Sequence, residues 1–285
     1  MGLFKKRQKK LDSQEVGLDI GMIFLKFFLD TEYLHYGFWE NGLEPEVKNL
    51  RAAQINYTNH LFSHIPEGVK TILDVGSGTG KVAEQLIEKG YKVDCVSPSK
   101  RLTARIKELL GNKAEVFHGR YEDVKIDKKY DMILFSESFQ YIDMQTNFEK
   151  SAQYLKEGGH ILICDFFRYQ EHNHRPLGGG HWLDQYKEIL AKHPFDIIKD
   201  EDITDKIAPT MTVVNTFTME AIRPSFELGM DLFQDRFPRI HRFVNWKFKK
   251  KLAGTREKHF KGERNEANFK KFKTYRLILL QKRAN

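Results

Sequence analysis

Thr71-Ile72-Leu73-Asp74-Val75-Gly76-Ser77-Gly78-Thr79-Gly80 is the stretch of sequence that decides the fold. An apolar run ends in an acid, and three glycines within five residues follow before a helical pattern begins. Glycine permits positive φ and a close approach of the backbone to a ligand, and a following helix offers unpaired N–H groups at its first turn. The stretch predicts a buried strand, a tight turn and a helix, with a nucleotide-type pocket at the carboxyl end of the strand.

Two other glycine-rich motifs differ from this turn. A P-loop is excluded, because no Gly-Lys-Ser/Thr closes the turn. The dinucleotide fingerprint spaces its glycines G-x-G-x-x-G, whereas Gly76, Gly78 and Gly80 alternate with other residues. An ordinary tight turn between a strand and a helix is the alternative to a ligand-binding turn.

Strand-like and helical patterns alternate along most of the chain. Such alternation predicts an α/β fold with a doubly wound parallel sheet and helices on both faces. The predicted strands span residues 70–75, 92–96, 114–118, 131–135, 160–166, 195–199 and 275–281, and the predicted helices span residues 11–30, 46–64, 80–89, 99–110, 145–156 and 182–192. About 70 mostly helical residues separate the last two strands, which is too long for a plain loop.

Residues 65–200 resemble class I S-adenosylmethionine-dependent methyltransferases. Leu73–Gly80 resembles the glycine motif of that family, Tyr130–Leu134 its fourth strand, and Leu155–Gly159 the turn before its fifth strand. Tyr33–Trp39, here called the aromatic segment, is similar to the segment before the core in lipid and isoprenoid methyltransferases, including tocopherol-type, sterol-type and cyclopropane-synthase-like enzymes. The resemblance implies a seven-stranded Rossmann-like sheet and S-adenosylmethionine as the cofactor.

The chain divides into four parts in this interpretation. We expect a basic N-terminal arm and helical cap at residues 1–64, a cofactor-binding core at 65–204, a helical insertion at 205–272 and the last core strand at 273–285. We expect the cap and the insertion to close over the site as a lid that selects the acceptor.

The resemblance assigns the cofactor site mainly to the glycine turn. Gly76 and Gly78 would let the backbone approach the methionine portion, and Asp74 would orient the turn and that end of the cofactor. Ser97 replaces the family's acid for the ribose hydroxyls, and it can make one such bond but no charge-assisted pair. The remaining assignments are the adenine-edge residues Tyr121 and Glu122, together with Ser77, Ser136 and Tyr36.

Methyl transfer demands little chemistry from the protein, because the sulfonium is already activated and alignment supplies much of the rate. A general base is needed only where the nucleophile carries a proton. For each candidate base, a buried side chain satisfied by the backbone is the alternative. The candidates are Glu137 and Tyr141 after the fourth strand, His181 beyond the fifth strand, and His35 in the aromatic segment.

Cyclopropane formation is a separate chemistry within this family. The synthases hold bicarbonate with a Cys in the N-terminal segment and a Glu after the fourth strand. These positions are His35 and Gln140 in this chain, so simple methyl transfer is favoured over ring formation.

Charge is divided unevenly along the 285 residues, whose net charge is +8. Residues 1–10 hold five Lys or Arg and no acid, and residues 236–285 hold seventeen against three acids, which leaves residues 11–235 at −11. Residues 237–252 combine Lys and Arg with an apolar stripe at helical spacing, a pattern typical of membrane-surface helices. We expect the basic ends to attach reversibly to anionic membranes; solvated faces, or a stripe packed against the core, are the alternatives.

Three functions are consistent with these features of the sequence. The favoured function is methylation of a hydrophobic small molecule, a lipid or isoprenoid-like acceptor. The alternative is an RNA or other nucleic-acid methyltransferase that uses the basic ends as phosphate contacts, although no Asn/Asp-Pro-Pro-Tyr segment follows the fourth strand. The third is a methyltransferase fold retained as a binding module, which the replacement at Ser97 leaves open.

Composition adds an expectation about location. No apolar run reaches about 18 residues, so no spanning helix is predicted. Cys95 and Cys164 lie in apolar strand-like runs, which predicts buried thiols in a reducing compartment. No metal-ligand spacing is apparent among Cys and His, and no metal is expected. We expect a cytoplasmic protein that is peripheral on the inner face of the membrane.

Overall fold

A computed structural model gives the structure of the protein and describes residues 13–40, 42–169 and 177–284. Its strands are β1 (Thr71–Val75), β2 (Lys92–Ser97), β3 (Val116–His118), β4 (Tyr130–Ser136), β5 (Leu155–Arg168), β6 (His181–Trp182), β7 (Phe195–Asp202) and β8 (Lys273–Lys282). Seven of them form a sheet in the order β3-β2-β1-β4-β5-β8-β7, and the short β6 pairs with β5. The predicted seven-stranded Rossmann-like fold is confirmed, with β6 as an additional strand.

The helices occupy the positions that the alternation predicts, with small shifts at their ends. They are α1 (Ser13–Leu29), α2 (Leu50–Phe62), α3 (Lys81–Glu88), α4 (Lys100–Leu110), α5 (Met144–Tyr154), α6 (Leu183–Leu190), α7 (Thr204–Ile207), α8 (Pro209–Phe217), α9 (Arg223–Arg236), α10 (Pro238–Phe260) and α11 (Glu266–Phe272). The last five form the helical insertion between β7 and β8.

The last strand departs from the predicted parallel sheet. β8 runs antiparallel to both of its neighbours, β5 and β7. The reason is that the insertion begins where β7 ends, at the carboxyl edge of the sheet, and the chain returns from that same edge. The first residues of β8 therefore lie beside the last residues of β5, as in the pair Phe166 and Tyr275.

Two large apolar clusters of the core alternate along the strands, and a third, smaller cluster lies around Trp39 and Ala53. Ile72 and Leu134 belong to one large cluster, and Leu73 and Ile133 belong to the other. Successive side chains of a strand point to opposite faces, and helices cover both faces, so the central parts of β1, β4, β5 and β8 are mostly apolar and buried. Cys95 and Cys164 are buried free thiols within this core, as predicted.

The aromatic segment is fastened to both the helical cap and the insertion. Phe38 N–H donates to the Ala53 carbonyl of α2 at 2.8 Å. Thr210 of α8 accepts two buried donors on its Oγ1, Gly37 N–H at 3.0 Å and Trp39 Nε1–H at 2.9 Å. These bonds hold the segment along the carboxyl edge of the sheet.

α1 and α10 expose large apolar side chains. Within the described ranges no helix is both long enough and apolar enough to cross a bilayer. The apolar stripe of residues 237–252 does not pack on the core, which was the alternative prediction. Phe237, Ile240 and Phe248 are each more than 40% exposed. Trp246 is 76% exposed. The basic arm before Leu11 lies outside the described residues.

Thr210→Val should destabilise the protein, because the valine leaves Gly37 N–H and Trp39 Nε1–H unpaired in a buried position. We expect the free energy of unfolding in denaturant to fall by about 2 kcal/mol or more. Thr218→Val is the control, since the exposed Thr218 hydroxyl bonds only the Val214 carbonyl of its own helical turn. Equal stability of the two variants would contradict this account of the segment.

Candidate active site

The three glycines of the turn between β1 and α3 serve different purposes. All three have positive φ, of 77°, 53° and 87° in order. A Cβ on Gly76 would lie 2.4 Å from Ser138 Cβ, and one on Gly80 would lie 3.2 Å from Ile106 Cγ1. A Cβ on Gly78 would meet only Leu34, at 3.8 Å. Gly76 and Gly80 therefore permit close packing, while Gly78 faces space that the described residues do not fill.

The turn offers the groups that a cofactor's charged end requires. Among the described residues, the backbone N–H groups of Gly78 and Thr79 donate to no carbonyl. Asp74 is 2% exposed, and its Oδ2 has no hydrogen-bond partner within the described residues. Burial raises the pKa of this carboxyl to about 7. A buried acceptor without a partner beside free N–H groups fits the amino-acid end of S-adenosylmethionine.

The other residues assigned to the cofactor are less open. Ser97 ends β2 and is 1% exposed, and Ser77 Oγ donates to the Asp74 carbonyl at 2.8 Å. Tyr121 lies in the core, where its hydroxyl pairs with Ser151 Oγ at 3.1 Å. The half-buried Glu122 pairs with Arg120 at 2.6 Å. The roles of these residues at the cofactor stay predictions. Tyr121 itself is packed within the core.

Glu137 directly follows β4 in left-handed backbone, with φ of 56°. Its Oε1 accepts from Tyr36 N–H at 2.7 Å and from the Tyr275 hydroxyl at 2.8 Å. Tyr57 links the Tyr275 hydroxyl to Ser136 Oγ through contacts of 3.1 Å each. Burial raises the pKa of Glu137 to about 8, although its two hydrogen bonds favour the ionised form. The carboxyl is therefore mostly protonated at pH 7, and it can accept a proton once it ionises at a pH of about 8.

An aromatic wall surrounds this carboxyl. The ring of Tyr36 lies 6.0 to 6.4 Å from the rings of Phe166, Phe269 and Tyr275. All four rings come from elements that meet at the carboxyl edge of the sheet. These rings make the surroundings of the Glu137 carboxyl largely apolar.

Two further buried charges lie at the same edge. Asp165 accepts from Gln140 N–H and Gln140 Nε2, each at 3.0 Å, and burial raises the pKa of Asp165 to about 7. Lys273 Nζ lies 3.7 Å from the centroid of the Phe166 ring and donates to the Gly178 carbonyl at 2.6 Å. Burial lowers the pKa of Lys273 to about 7.

The remaining candidate bases lie outside this group. His35 Nδ1–H donates to the Tyr36 carbonyl at 2.8 Å, and its ring stacks on Tyr57. Burial lowers the pKa of His35 to about 4, so the imidazole is neutral at pH 7. His181 Nε2–H donates to the carbonyls that end the turn after β4. Tyr141 is 66% exposed on that turn. The structure brings Glu137, Tyr36 and Ser136 together, and it gives both histidines backbone partners.

Comparison with known proteins identifies the family. The family model described as a methyltransferase domain matches residues 49–198, which is more than half of the chain. The chain belongs to the methyltransferase domain family. The predicted class of enzyme and its cofactor, S-adenosylmethionine, are confirmed.

Relatives of this methyltransferase cover it in part. The chain is 28% identical over 174 residues to a probable protein arginine N-methyltransferase 6 of Arabidopsis thaliana, covering 57% of this chain and 39% of that protein. It is 25% identical over 222 residues to the O-methyltransferase cnsE of Penicillium expansum, covering 71% and 78%. The chain spans about 62% of the length of further bacterial relatives described only as methyltransferases.

Solved structures share the fold. The cyclopropane synthase MmaA2 of Mycobacterium tuberculosis has a TM-score of 0.65 at 16% identity, with 93% of this chain and 95% of that chain covered. The geranyl diphosphate C-methyltransferase of Streptomyces coelicolor A3(2), solved with S-adenosyl-L-homocysteine, has a TM-score of 0.62 at 15% identity, with 88% of each chain covered.

Sequence reasoning missed several residues of the methyltransferase site. Asp165 had a signal, because a single acid interrupts the apolar run of β5. No sequence signal marks Lys273 or Tyr275, since their position at the site depends on the antiparallel direction of β8. Tyr57 had none either, because it lies mid-helix in an ordinary amphipathic pattern.

Gly78→Ala should weaken S-adenosylmethionine binding in a protein that still folds, because the added Cβ points into space where only Leu34 is near. We expect the affinity in calorimetry to fall about tenfold or more, which corresponds to about 1.4 kcal/mol. Gly111→Ala is the matched control, since Gly111 has a similar φ of 56° and nothing within 4 Å of its Cβ position. Wild-type affinity in Gly78→Ala would refute the location of the cofactor.

Proposed function

We propose that the protein transfers the methyl group of S-adenosylmethionine to a hydrophobic small molecule of lipid or isoprenoid type. The observation that carries the proposal is the aromatic wall around the buried carboxyl of Glu137, next to the glycine turn. A carboxyl bordered by aromatic rings favours an apolar acceptor with one polar reactive group. The cofactor supplies an already activated methyl group when it is bound, so the protein's task is alignment and proton removal.

Each part of the site has a role in this mechanism. Asp74 and the free N–H groups of the turn would hold the cofactor. The rings of Tyr36, Phe166 and Phe269 would exclude water and orient the acceptor. Glu137 would take the acceptor's proton on Oε2, because Oε1 already accepts from Tyr36 and Tyr275.

The relatives support a small-molecule acceptor without naming it. They include an O-methyltransferase, a geranyl diphosphate C-methyltransferase and a cyclopropane synthase. The arginine N-methyltransferase name points to a protein acceptor instead. The apolar surroundings of the Glu137 carboxyl favour the first group, since a guanidinium acceptor would require acids that ionise freely nearby.

The acceptor can be found by mass spectrometry. Purified protein with S-adenosylmethionine is incubated with lipid, metabolite, RNA and protein fractions from cells that lack it. We expect a product heavier by 14 Da in the lipid or metabolite fraction. A methylated product confined to the RNA or protein fraction would overturn the proposed acceptor class.

Glu137→Gln should remove the base while preserving the bonds from Tyr36 N–H and the Tyr275 hydroxyl, because the amide oxygen still accepts. Wild-type turnover on the extracted acceptor should rise with pH to a plateau above about 8, where the carboxyl is ionised. The variant should lose this dependence and fall about 10²- to 10⁴-fold. Unchanged turnover would remove Glu137 from the mechanism.

The same variant has a stability readout that needs no acceptor. The folded-state pKa of Glu137 is raised above its ordinary value of 4.5, so folded protein binds the extra proton between those two pKa values. The stability contributed by the neutral carboxyl is complete below pH 4.5 and is lost as pH rises through about 8. The free energy of unfolding of wild type should therefore fall relative to Glu137→Gln over this range.

The exposed helices support attachment of this enzyme to an anionic membrane, where a hydrophobic acceptor would reside. α1 and α10 both turn apolar side chains to solvent, and exposed lysines flank those of α10. The exposed apolar residues are Ile20, Ile23, Phe24, Phe27 and Phe28 on α1, and Ile240, Phe243, Trp246 and Phe248 on α10. Binding to nucleic acid would account for the lysines of α10, but it would not account for these exposed apolar side chains.

Changing Lys247, Lys249, Lys250 and Lys251 to Glu should abolish sedimentation with anionic liposomes, because each basic residue contributes about 1 kcal/mol near such a surface. The matched control makes the same charge change on four exposed lysines of the body, Lys107, Lys113, Lys125 and Lys129. We expect the control to sediment like wild type. Equal binding of wild type to neutral and anionic liposomes, or no binding to either, would contradict the attachment.

A further inference from the structure

A second cluster of ligand-type side chains lies where the C-terminal end of α2 meets β7. His60 belongs to the last turn of α2, His64 follows that helix, and Glu201 lies in β7. One nitrogen of each imidazole and one carboxylate oxygen all lie within 4.8 Å of one another. The His64 Nε2 to Glu201 Oε2 distance is 3.5 Å, and the His60 Nε2 to Glu201 Oε1 distance is 4.0 Å.

A hydrogen bond orients the His64 imidazole toward the centre of the cluster. His64 Nδ1 lies 2.8 Å from the His60 carbonyl, which can only accept, so Nδ1 carries the hydrogen and Nε2 keeps its lone pair. His60 Nε2 is buried and has no hydrogen-bond partner in the part of the chain that the structure describes. A ring nitrogen fixed by a backbone bond on the opposite side is the arrangement of metal-bound histidine.

The ammonium group of Lys199 lies at this cluster. Lys199 Nζ is 2.5 Å from His64 Nε2 and 2.8 Å from Glu201 Oε2. The Lys199 side chain is 43% exposed, so its ammonium can move into water when another cation enters. Two imidazole nitrogens and one carboxylate oxygen are a ligand set that suits Zn²⁺.

We propose that His60, His64 and Glu201 form a site for Zn²⁺ or a similar divalent transition-metal ion, and that Lys199 competes with the ion for it. The role of the ion would be structural. It would tie α2, which carries Tyr57 and packs under the aromatic segment, to β7 beside the start of the insertion. The His60 ring stacks on Phe38 at 4.4 Å, so the bound ion would also stiffen that segment.

The test uses untagged full-length protein freed of metal by a chelator. Calorimetry with ZnCl₂ should give one ion per chain, and Co²⁺ should give visible d–d absorption at the same stoichiometry. Glu201→Gln and His60→Phe should each weaken Zn²⁺ binding about 10- to 100-fold or more, since even residues behind the ligands have effects of this size. His60→Phe keeps a ring against Phe38, so loss of packing does not mimic loss of a ligand.

Lys199→Ala should have the opposite effect on Zn²⁺ affinity. Removal of the competing ammonium should tighten Zn²⁺ binding, whereas Lys192→Ala, an exposed control outside the cluster, should leave it unchanged. The midpoint of thermal unfolding should rise with ZnCl₂ in wild type and stay constant in Glu201→Gln. Stoichiometric binding that survives both Glu201→Gln and His60→Phe, or no binding to wild type, would overturn the site. Neither result depends on methyltransferase activity.

Discussion

The carboxyl of Glu137 is the contact on which the rest of the site depends. It lies just beyond β4, yet one of its oxygens holds Tyr36 and Tyr275, which are 101 and 138 residues away in sequence. Three distant parts of the chain therefore meet at one buried atom. Without it, a buried N–H and a buried hydroxyl would lack partners, at about 1–3 kcal/mol each. This constraint fixes the aromatic segment against the last strand.

The carboxyl edge of the sheet concentrates buried ionisable groups that a core would otherwise avoid. Burial raises the pKa values of Asp74, Glu137 and Asp165 to about 7 or 8 and lowers that of Lys273 to about 7. All four groups lie at strand ends, where the apolar strands beneath hold the backbone firmly. The free-energy cost of burying these groups is offset by the packing of the apolar core. Near neutral pH, each of the four groups can gain or lose a proton. Perturbed groups gathered in one cleft are typical of functional sites.

The sequence predicts features that depend on neighbouring residues and misses those that depend on chain direction. The strands and the glycine turn were predictable from apolar runs and glycine spacing, and Glu137 from its place directly after β4. Lys273 and Tyr275 were not, because an antiparallel β8 presents its first residues, instead of its last, to the site. His35 and His181 were chosen by residue type, yet turns leave carbonyls that need donors, and these histidines supply them.

The insertion combines two kinds of packing, and the difference bears on what it does. Its first two helices and its last helix pack on the core, with Ile207, Met211 and Phe269 each no more than 2% exposed. α9 has no buried residue, and α10 exposes its apolar stripe. Monomeric proteins rarely leave so much apolar surface without a partner. The lysines beside Trp246 would favour an anionic partner, and the aromatic wall would favour an acceptor that water dissolves poorly. Under the proposed function, a bilayer would meet both conditions, and the one insertion would then carry both the membrane contact and part of the active-site wall.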